Sequence, residues 1–258
     1  MLLDLYDEEY FLSPDPVGLG YDKYIDDFDN ITATFEKRWG IVEKHLSNKG
    51  RVLDVGCAHG FLLNYLRQRG YQIHGVEVSQ AAASYARNKL GLNVLMKPLR
   101  EAAFQDDFFD VIAIWDVIEH FTDPSAELRE MHRILKPGGV LAIITPDSGS
   151  FQAKFWGSRW VEYLRPDEHL FYFSRDVLVR HVCAEGFDLL EARTAGKYVP
   201  VDFVLNRLKE YDRWSVGVIH ALLKLLKLQN RVLYVDPKDK MFVNFRKKTR
   251  SSVDNQRP

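Results

Sequence analysis

The residues best equipped for chemistry lie in one short stretch, Asp54-Val55-Gly56-Cys57-Ala58-His59-Gly60, followed downstream by a second acid, Glu77. The stretch comes directly after a β-branched run, Arg51-Val52-Leu53-Asp54-Val55, and before a helical one beginning at Phe61. Glycines there let the backbone approach a ligand, and the first turn of the helix offers unpaired N–H groups. The two acids then decide which ligand. A pyrophosphate needs Gly-x-Gly-x-x-Gly and a helix start unopposed by negative charge. Here Ala58 stands between Gly56 and Gly60, and Asp54 ends the strand where it would repel a diphosphate. Asp54 suits a cationic ligand instead. Glu77, ending the next strand in Gly75-Val76-Glu77-Val78-Ser79, suits a pair of ribose hydroxyls and excludes a 2′-phosphate. Either acid alone reads equally well as a helix cap or a solvated strand end. The pair, spaced across one β-α-β unit, favours a nucleoside site. Cys57 reads as a small loop residue rather than a reactive thiol.

The elements that must position these groups alternate along the chain. Phe35, Trp39, Val42 and Leu46 repeat at helical spacing up to Gly50. Strands are expected at 51–55, 72–78, 93–96, 110–115 and 140–144, with helices from Phe61, over 80–90 and over 124–135. The run Asp110-Val111-Ile112-Ala113-Ile114-Trp115 is nearly all apolar, as in a strand buried on both faces. Alternation of this kind implies a mostly parallel sheet with helices on both faces. Beyond Pro146 come an aromatic stretch (Phe151, Phe155, Trp156, Trp160, Tyr163), a helix over 174–185, a strand over 187–192 and a last strand over 241–245. The region between, 197–236, reads as mostly helical. The expected division is an aromatic and helical cap at 1–50, a core at 51–195, a helical insert or lid at 196–238, the last core strand at 239–247 and a basic, disordered tail at 248–258.

Bulk properties narrow the class. A chain of 258 residues that is 46% hydrophobic can build a sizeable core, and its net charge of −1 gives no basic face for nucleic acid. Two cysteines, Cys57 and Cys183, make neither a disulfide framework nor a metal motif. The acidic N-terminus is unlike a signal peptide, and the most apolar stretch, 216–228, is interrupted by His220, Lys224 and Lys227. A cytoplasmic enzyme is the expectation.

Val52 to Gly60 closely resembles motif I of class I S-adenosylmethionine-dependent methyltransferases. The resemblance continues through 75–79, Phe109-Asp110-Val111-Ile112, Asp116-Val117-Ile118-Glu119-His120 and Leu135-Lys136-Pro137-Gly138-Gly139. Within that class the chain is similar to the group containing ubiquinone O-methyltransferases and methyltransferases of polysaccharide and natural-product pathways, over roughly residues 35–195. Ala58 departs from the usual glycine, and Lys97-Pro98-Leu99 stands where many members place an acid against adenine. The resemblance implies a Rossmann-like, seven-stranded sheet with its last strand antiparallel beside the strand at 187–192. It implies S-adenosylmethionine as donor, held by Asp54, Gly56, Cys57, Ala58, Gly60, Glu77 and Val78. Leu99 and backbone groups take the adenine, Trp115 and Asp116 line the methionine end, and Arg38 is a candidate for its carboxylate.

Methyl transfer needs alignment, exclusion of water and often a base. The candidate bases are His169, His120 and Glu119, an imidazole being suited to accepting a hydroxyl proton near neutrality. His169 lies in Pro166-Asp167-Glu168-His169-Leu170-Phe171-Tyr172-Phe173-Ser174, which resembles a segment over the acceptor side in this group. The alternative readings are a locally packed His169 and a Glu119-His120 pair that locks the following helix. Asp116 and Asp147 follow neighbouring strands, but two oxygens without a third ligand do not make a magnesium site, so no metal is expected.

The acceptor is read as a small molecule, a sugar, lipid-linked compound or secondary metabolite methylated on oxygen. The stripe Val216, Ile219, Leu222, Leu223, Leu226 and Leu228, with Lys224 and Lys227 interspersed, suits packing on its own domain or a second subunit. It also suits peripheral membrane contact through 215–229. Monomer and homodimer both stay open. Two other functions compete: a nicotinamide-dependent oxidoreductase, disfavoured by the glycine spacing and Asp54, and a catalytically silent donor-binding partner subunit.

Overall fold

The computed structural model describes residues 28–164, 168–209, 213–226, 228 and 230–249. The aromatic residues expected to cap the donor between Tyr6 and Tyr24, and the tail from Arg250, lie outside these. The first half runs α1 (Phe28–Glu43), β1 (Arg51–Val55), α2 (Phe61–Gln68), β2 (Gln72–Val76), α3 (Gln80–Leu90), β3 (Val94–Leu95), β4 (Phe109–Trp115), α4 (Pro124–Ile134) and β5 (Leu135–Pro146). The second runs α5 (Phe151–Trp156), α6 (Arg175–Ala184), β6 (Phe187–Thr194), β7 (Lys197–Pro200), α7 (Val201–Leu208), α8 (Arg213–Leu225), β8 (Val232–Val235) and β9 (Lys240–Lys247).

Seven strands form one sheet in the order β3-β2-β1-β4-β5-β9-β6. The first five are parallel, and β9 lies antiparallel between β5 and β6. This is the expected Rossmann-like sheet. The order reverses between β1 and β4, and such a switch point opens a crevice at the carboxyl ends of the strands.

β4 shows why the sheet has two cores. Ile112 and Ile114 face one apolar layer with Leu128 and Met131 of α4 and Leu178 of α6. Val111, Ala113 and Trp115 face the other, with Phe35, Trp39 and Val42 of α1 and Leu62 and Leu66 of α2. A strand buried on both faces has no polar alternation to show, as its sequence predicts.

Two elements differ from the sequence reading. β5 begins at Leu135, so Lys136-Pro137-Gly138-Gly139 sits within the strand as an irregularity. The register slips from Phe109↔Leu135 to Val111↔Val140, with Lys136 paired to Asp110 at 2.7 Å. The insert is not purely helical: β7 and β8 pair antiparallel across it. Lys197-Tyr198-Val199-Pro200 and Val232-Leu233-Tyr234-Val235 are β-branched and aromatic, and each finds in the other the partner that a short strand needs. The hairpin docks on α1, where the Tyr198 N–H donates to Thr34 Oγ1 (2.9 Å) and Lys37 Nζ lies 3.3 Å over the Tyr234 ring. Among the described residues, no helix is long and apolar enough to cross a membrane.

Candidate active site

Parallel strands end together, and here β1, β2 and β4 each deliver an acid to the same edge: Asp54 in β1, Glu77 just after β2 and Asp116 just after β4. The connecting loop leaves β1 by hydrogen bonds from Gly56 and Cys57 N–H to the Val76 carbonyl. Gly56, Ala58 and Gly60 all take positive φ, 70°, 46° and 76°. A Cβ on Gly56 would come within 2.6 Å of Val117, so this turn requires glycine for space as well as for conformation. Ala58 holds the same left-handed region with a side chain, a conformation that costs about 1 kcal/mol or more outside glycine.

Glu77 is buried and clamps the loop. Its Oε2 accepts the Ala58 N–H and its Oε1 the Ser79 N–H, both at 2.8 Å. Burial pushes its carboxyl above the ordinary range, partly offset by those bonds. Asp54, also buried, is raised well above the usual value by burial first and then by the neighbouring Glu77 charge. Two adjacent buried carboxylates favour a cationic ligand over an anionic one. Cys57 is buried under the loop, its thiol pushed up by burial and then by Asp54 and Glu77, the reverse of what a nucleophile needs. Val78 lies exposed beyond β2, while Leu99 is packed into the core below the loop.

At the β4 end, Asp116 takes a positive φ of 58°, and its N–H donates to the Ile144 carbonyl (2.7 Å). Its Oδ1 accepts from Lys240 Nζ at 2.8 Å. Burial would raise the Asp116 carboxyl, but Lys240, Arg38 and His120 pull it below the ordinary range. Trp115 packs edge-on against Phe242 and lies under the Arg38 guanidinium, 5.9 Å from its ring centre. Arg38 also donates to the Gly196 carbonyl at 3.1 Å, so it stands between the end of β4 and the insert.

One turn further, Glu119, His120 and His169 converge, each offering a ligand atom within 4.8 Å of the others. Glu119 is 2% exposed, and its Oε2 accepts the Thr145 hydroxyl at 2.9 Å. Its carboxyl is pushed up to about 8 by burial and then by Asp116. The Glu119 carbonyl accepts the N–H groups of Leu170 (2.9 Å) and Phe171 (3.1 Å), which hooks the His169 segment onto the exit of β4. His120 Nδ1 meets the Glu168 carbonyl at 2.7 Å, and burial lowers its pKa below the usual imidazole value. The His120 and His169 rings stand edge to face at 4.9 Å, with Glu162 Oε2 3.8 Å from His169 Nδ1. Thus the three sequence-derived candidate bases form one group. Asp147 is not part of it: its Oδ1 accepts from Gly149 and Arg175 N–H groups in a turn.

Sequence reasoning missed Lys240, Thr145 and Glu162. Lys240 had a usable signal, since an antiparallel last strand must begin at the carboxyl edge of its parallel neighbour. The register Pro146↔Lys240 places it there.

A family model described as "Methyltransferase domain" matches residues 29–192, more than half of the chain, and the chain belongs to that family. Among curated relatives, the ubiquinone biosynthesis O-methyltransferase of Stutzerimonas stutzeri (strain A1501) is 30% identical over 134 residues, 48% of this chain and 58% of that protein. The enzyme of the same name from Pseudomonas fluorescens (strain Pf0-1) is 34% identical over 101 residues, 37% of this chain and 44% of that protein. The match therefore spans about half the length of these relatives. Among solved structures, a SAM-dependent methyltransferase from Thermotoga maritima superposes with a TM-score of 0.60 at 20% identity, covering 96% of this chain and 100% of that one. Another, from Archaeoglobus fulgidus, gives 0.58 at 18% identity over 88% and 99%. The fold is that of class I S-adenosylmethionine-dependent methyltransferases.

The Asp116–Lys240 pair has a pH signature. A carboxyl held below its unfolded value contributes stability above that value, ~3.9, and loses it as pH falls through the folded one. Lys240→Met should destabilise the fold near neutrality, and its deficit against wild type should shrink as pH falls toward and through about 4, because Asp116 without its counter-charge takes up a proton more readily. Denaturant unfolding at several pH values checks this; a deficit that stays constant down to acid pH contradicts it.

Proposed function

We propose that this chain transfers a methyl group from S-adenosylmethionine to an oxygen of a small-molecule acceptor, of the sugar, lipid-linked or secondary-metabolite kind. The observation that carries the reading is the pair of buried acids, Asp54 and Glu77, on adjacent strand ends of the methyltransferase fold. When bound, the donor supplies an electrophilic methyl carbon on a sulfonium. The chain supplies the rest. Asp54, Gly56, Cys57, Ala58 and Gly60 hold the donor's cationic end against a close-approaching backbone. Both Glu77 oxygens keep lone pairs beyond their backbone bonds for ribose hydroxyls. Val78 and Leu99 flank the base, while Trp115, Asp116 and Arg38 border the methionine end. The acceptor hydroxyl lies over Glu119, His120 and His169, which orient it and help remove its proton. The named activity of the curated relatives supports oxygen as the target.

Calorimetry with S-adenosylhomocysteine and with NAD tests the donor. The homologue should bind and NAD should not, and Asp54→Asn and Glu77→Gln should each weaken binding by about tenfold or more, as for a lost charge-assisted hydrogen bond. Selective NAD binding would replace this reading with the oxidoreductase one. On the acceptor side, His169→Ala should keep homologue affinity while losing most turnover of labelled methyl, about 10²–10⁴-fold. Unchanged turnover with the true acceptor removes His169 from the mechanism.

The insert supports a further part of this reading, in which the acceptor is collected from a membrane surface. Trp214 (82% exposed), Val218, Ile219, Leu222, Leu225 (79%) and Leu226 leave an uncovered apolar face with Lys224 beside it, while Val216, Leu223 and Leu228 are half-buried. An amphipathic helix of this make-up lies in the headgroup plane. The chain should co-sediment with anionic vesicles, and Leu222→Glu with Leu225→Glu should abolish it. No sedimentation with or without anionic lipid disposes of membrane contact.

A further inference from the structure

The Glu119–His120–His169 group has features that proton transfer alone does not require. Its three donors come from two separate segments, the short turn after β4 and the loop before α6, yet they converge on one point within 4.8 Å of one another. Two of the three side chains are also oriented from behind. His120 Nδ1 lies 2.7 Å from the Glu168 carbonyl, an oxygen that can only accept, so Nδ1 carries the proton and Nε2 presents a lone pair. The Thr145 hydroxyl occupies Glu119 Oε2, whereas Glu119 Oε1 is buried without a hydrogen-bond partner, in a side chain only 2% exposed. A buried carboxylate oxygen in that condition is costly unless a ligand meets it. A hydrogen bond to the far atom of each ligand is how proteins aim imidazoles and carboxylates at metal ions.

We propose that Glu119, His120 and His169 bind one divalent ion of the zinc or cobalt type, on which the acceptor hydroxyl sits during methyl transfer. Two imidazole nitrogens with one carboxylate oxygen suit such borderline ions, whereas magnesium asks for oxygen ligands. Three protein ligands leave a coordination position for the acceptor, as in catalytic rather than structural zinc sites. Asp116, Glu119 and Glu162 gather around the Lys240 ammonium, which acts in turn on Glu119 and His120, so the acids there outnumber their resident cation. Asp116 and Asp147 are separate from this site, the first committed to Lys240 and the second to its turn.

The chemistry balances without a redox partner. The ion binds the acceptor oxygen and acidifies it, and the proton leaves to solvent. That oxygen forms the new bond to the methyl carbon as the carbon–sulfur bond breaks, its electron pair passing to sulfur. The ion ends the cycle unchanged. The acceptor's part in this rests on the methyltransferase reading; the ion's binding does not.

Cobalt(II) added to the full chain after chelator treatment is the direct test, read by visible d–d absorption and by metal analysis after gel filtration. One cobalt per chain is expected, displaced by zinc. Glu119→Gln, His120→Ala and His169→Ala should each weaken it at least tenfold, and Thr145→Val by about tenfold through the lost supporting bond. S-adenosylhomocysteine calorimetry on the same samples reports separately on fold and donor site. If one histidine variant fails to fold, Glu119→Gln and Thr145→Val still decide. Wild type that binds the homologue but no cobalt, or cobalt binding undiminished in the folded variants, overturns the proposal. Cobalt binding without homologue binding would keep the site and remove the methyltransferase reading.

Discussion

Bringing carboxylates to the apolar ends of parallel strands is the constraint on which the rest of the site depends. A carboxylate there loses water, nearly all of it at Asp54, Glu77 and Glu119 and part of it at Asp116, whose side chain stays 39% exposed. The lost hydration must be replaced by hydrogen bonds, a counter-charge or a ligand. The four acids meet this in different ways. Glu77 is satisfied by two backbone N–H groups of the loop it braces. Asp116 takes the ammonium of Lys240. Glu119 receives one hydroxyl, and Asp54 lies beside the like charge of Glu77, which raises it further. The less the protein compensates a carboxylate, the more a positively charged ligand gains by binding there.

That gradient depends on how the sheet is closed. A further parallel crossover after β6 would return a strand with its carboxyl end at the edge where Asp54, Glu77 and Asp116 lie. β9 instead turns back and slots between β5 and β6, so that its first residue arrives where the others finish. Lys240 reaches Asp116 only by this route. The rest of β9 serves packing: Met241, Val243 and Phe245 enter one core, and Phe242 enters the other against Trp115. A single antiparallel strand thus joins the two hydrophobic layers and supplies the counter-charge of the site.

Much of this was legible in the sequence, for reasons that separate local from distant effects. The loop at 54–60 and Glu77 could be read because strand, turn and helix are adjacent in the chain and their spacing carries the geometry. β4 was legible because a strand buried on both faces cannot hide its apolar run. The strand start at Leu135 was not, since Pro137 and Gly138-Gly139 punctuate locally while the register with β4 is set by pairing. β7 and β8 were missed because each is four residues long and acquires its form from a partner more than thirty positions away. The convergence of His169 with Glu119 and His120 was likewise out of reach of spacing alone. It depends on the Glu119 carbonyl holding Leu170 and Phe171, a contact across some fifty residues.

On the proposed reading, that contact also divides the molecule functionally. The donor edge is built from β1, β2 and β4, whose ends are fixed by pairing on both sides and by glycines that admit no Cβ. The acceptor edge is built from the segment around His169, with Tyr163 and Tyr172 packed edge to face at 4.8 Å beside it, and from the insert carried by the β7–β8 hairpin. These later segments are tied to the sheet and α1 through the Glu119 and Glu168 carbonyls, the Ser148 N–H on the Phe173 carbonyl, the Ala195 N–H on the Lys240 carbonyl, Arg38 on the Gly196 carbonyl, and Tyr198 on Thr34. On the proposed reading, changes in the aromatic segment would reshape what is methylated, whereas changes in the insert also reach Arg38 through Gly196. Glu119 joins the two levels: its side chain meets Thr145 and lies with His120 and His169, while its carbonyl holds Leu170 and Phe171. On that same reading, acceptor choice and chemistry meet at that residue, and Asp116 and Arg38 link it to the donor side.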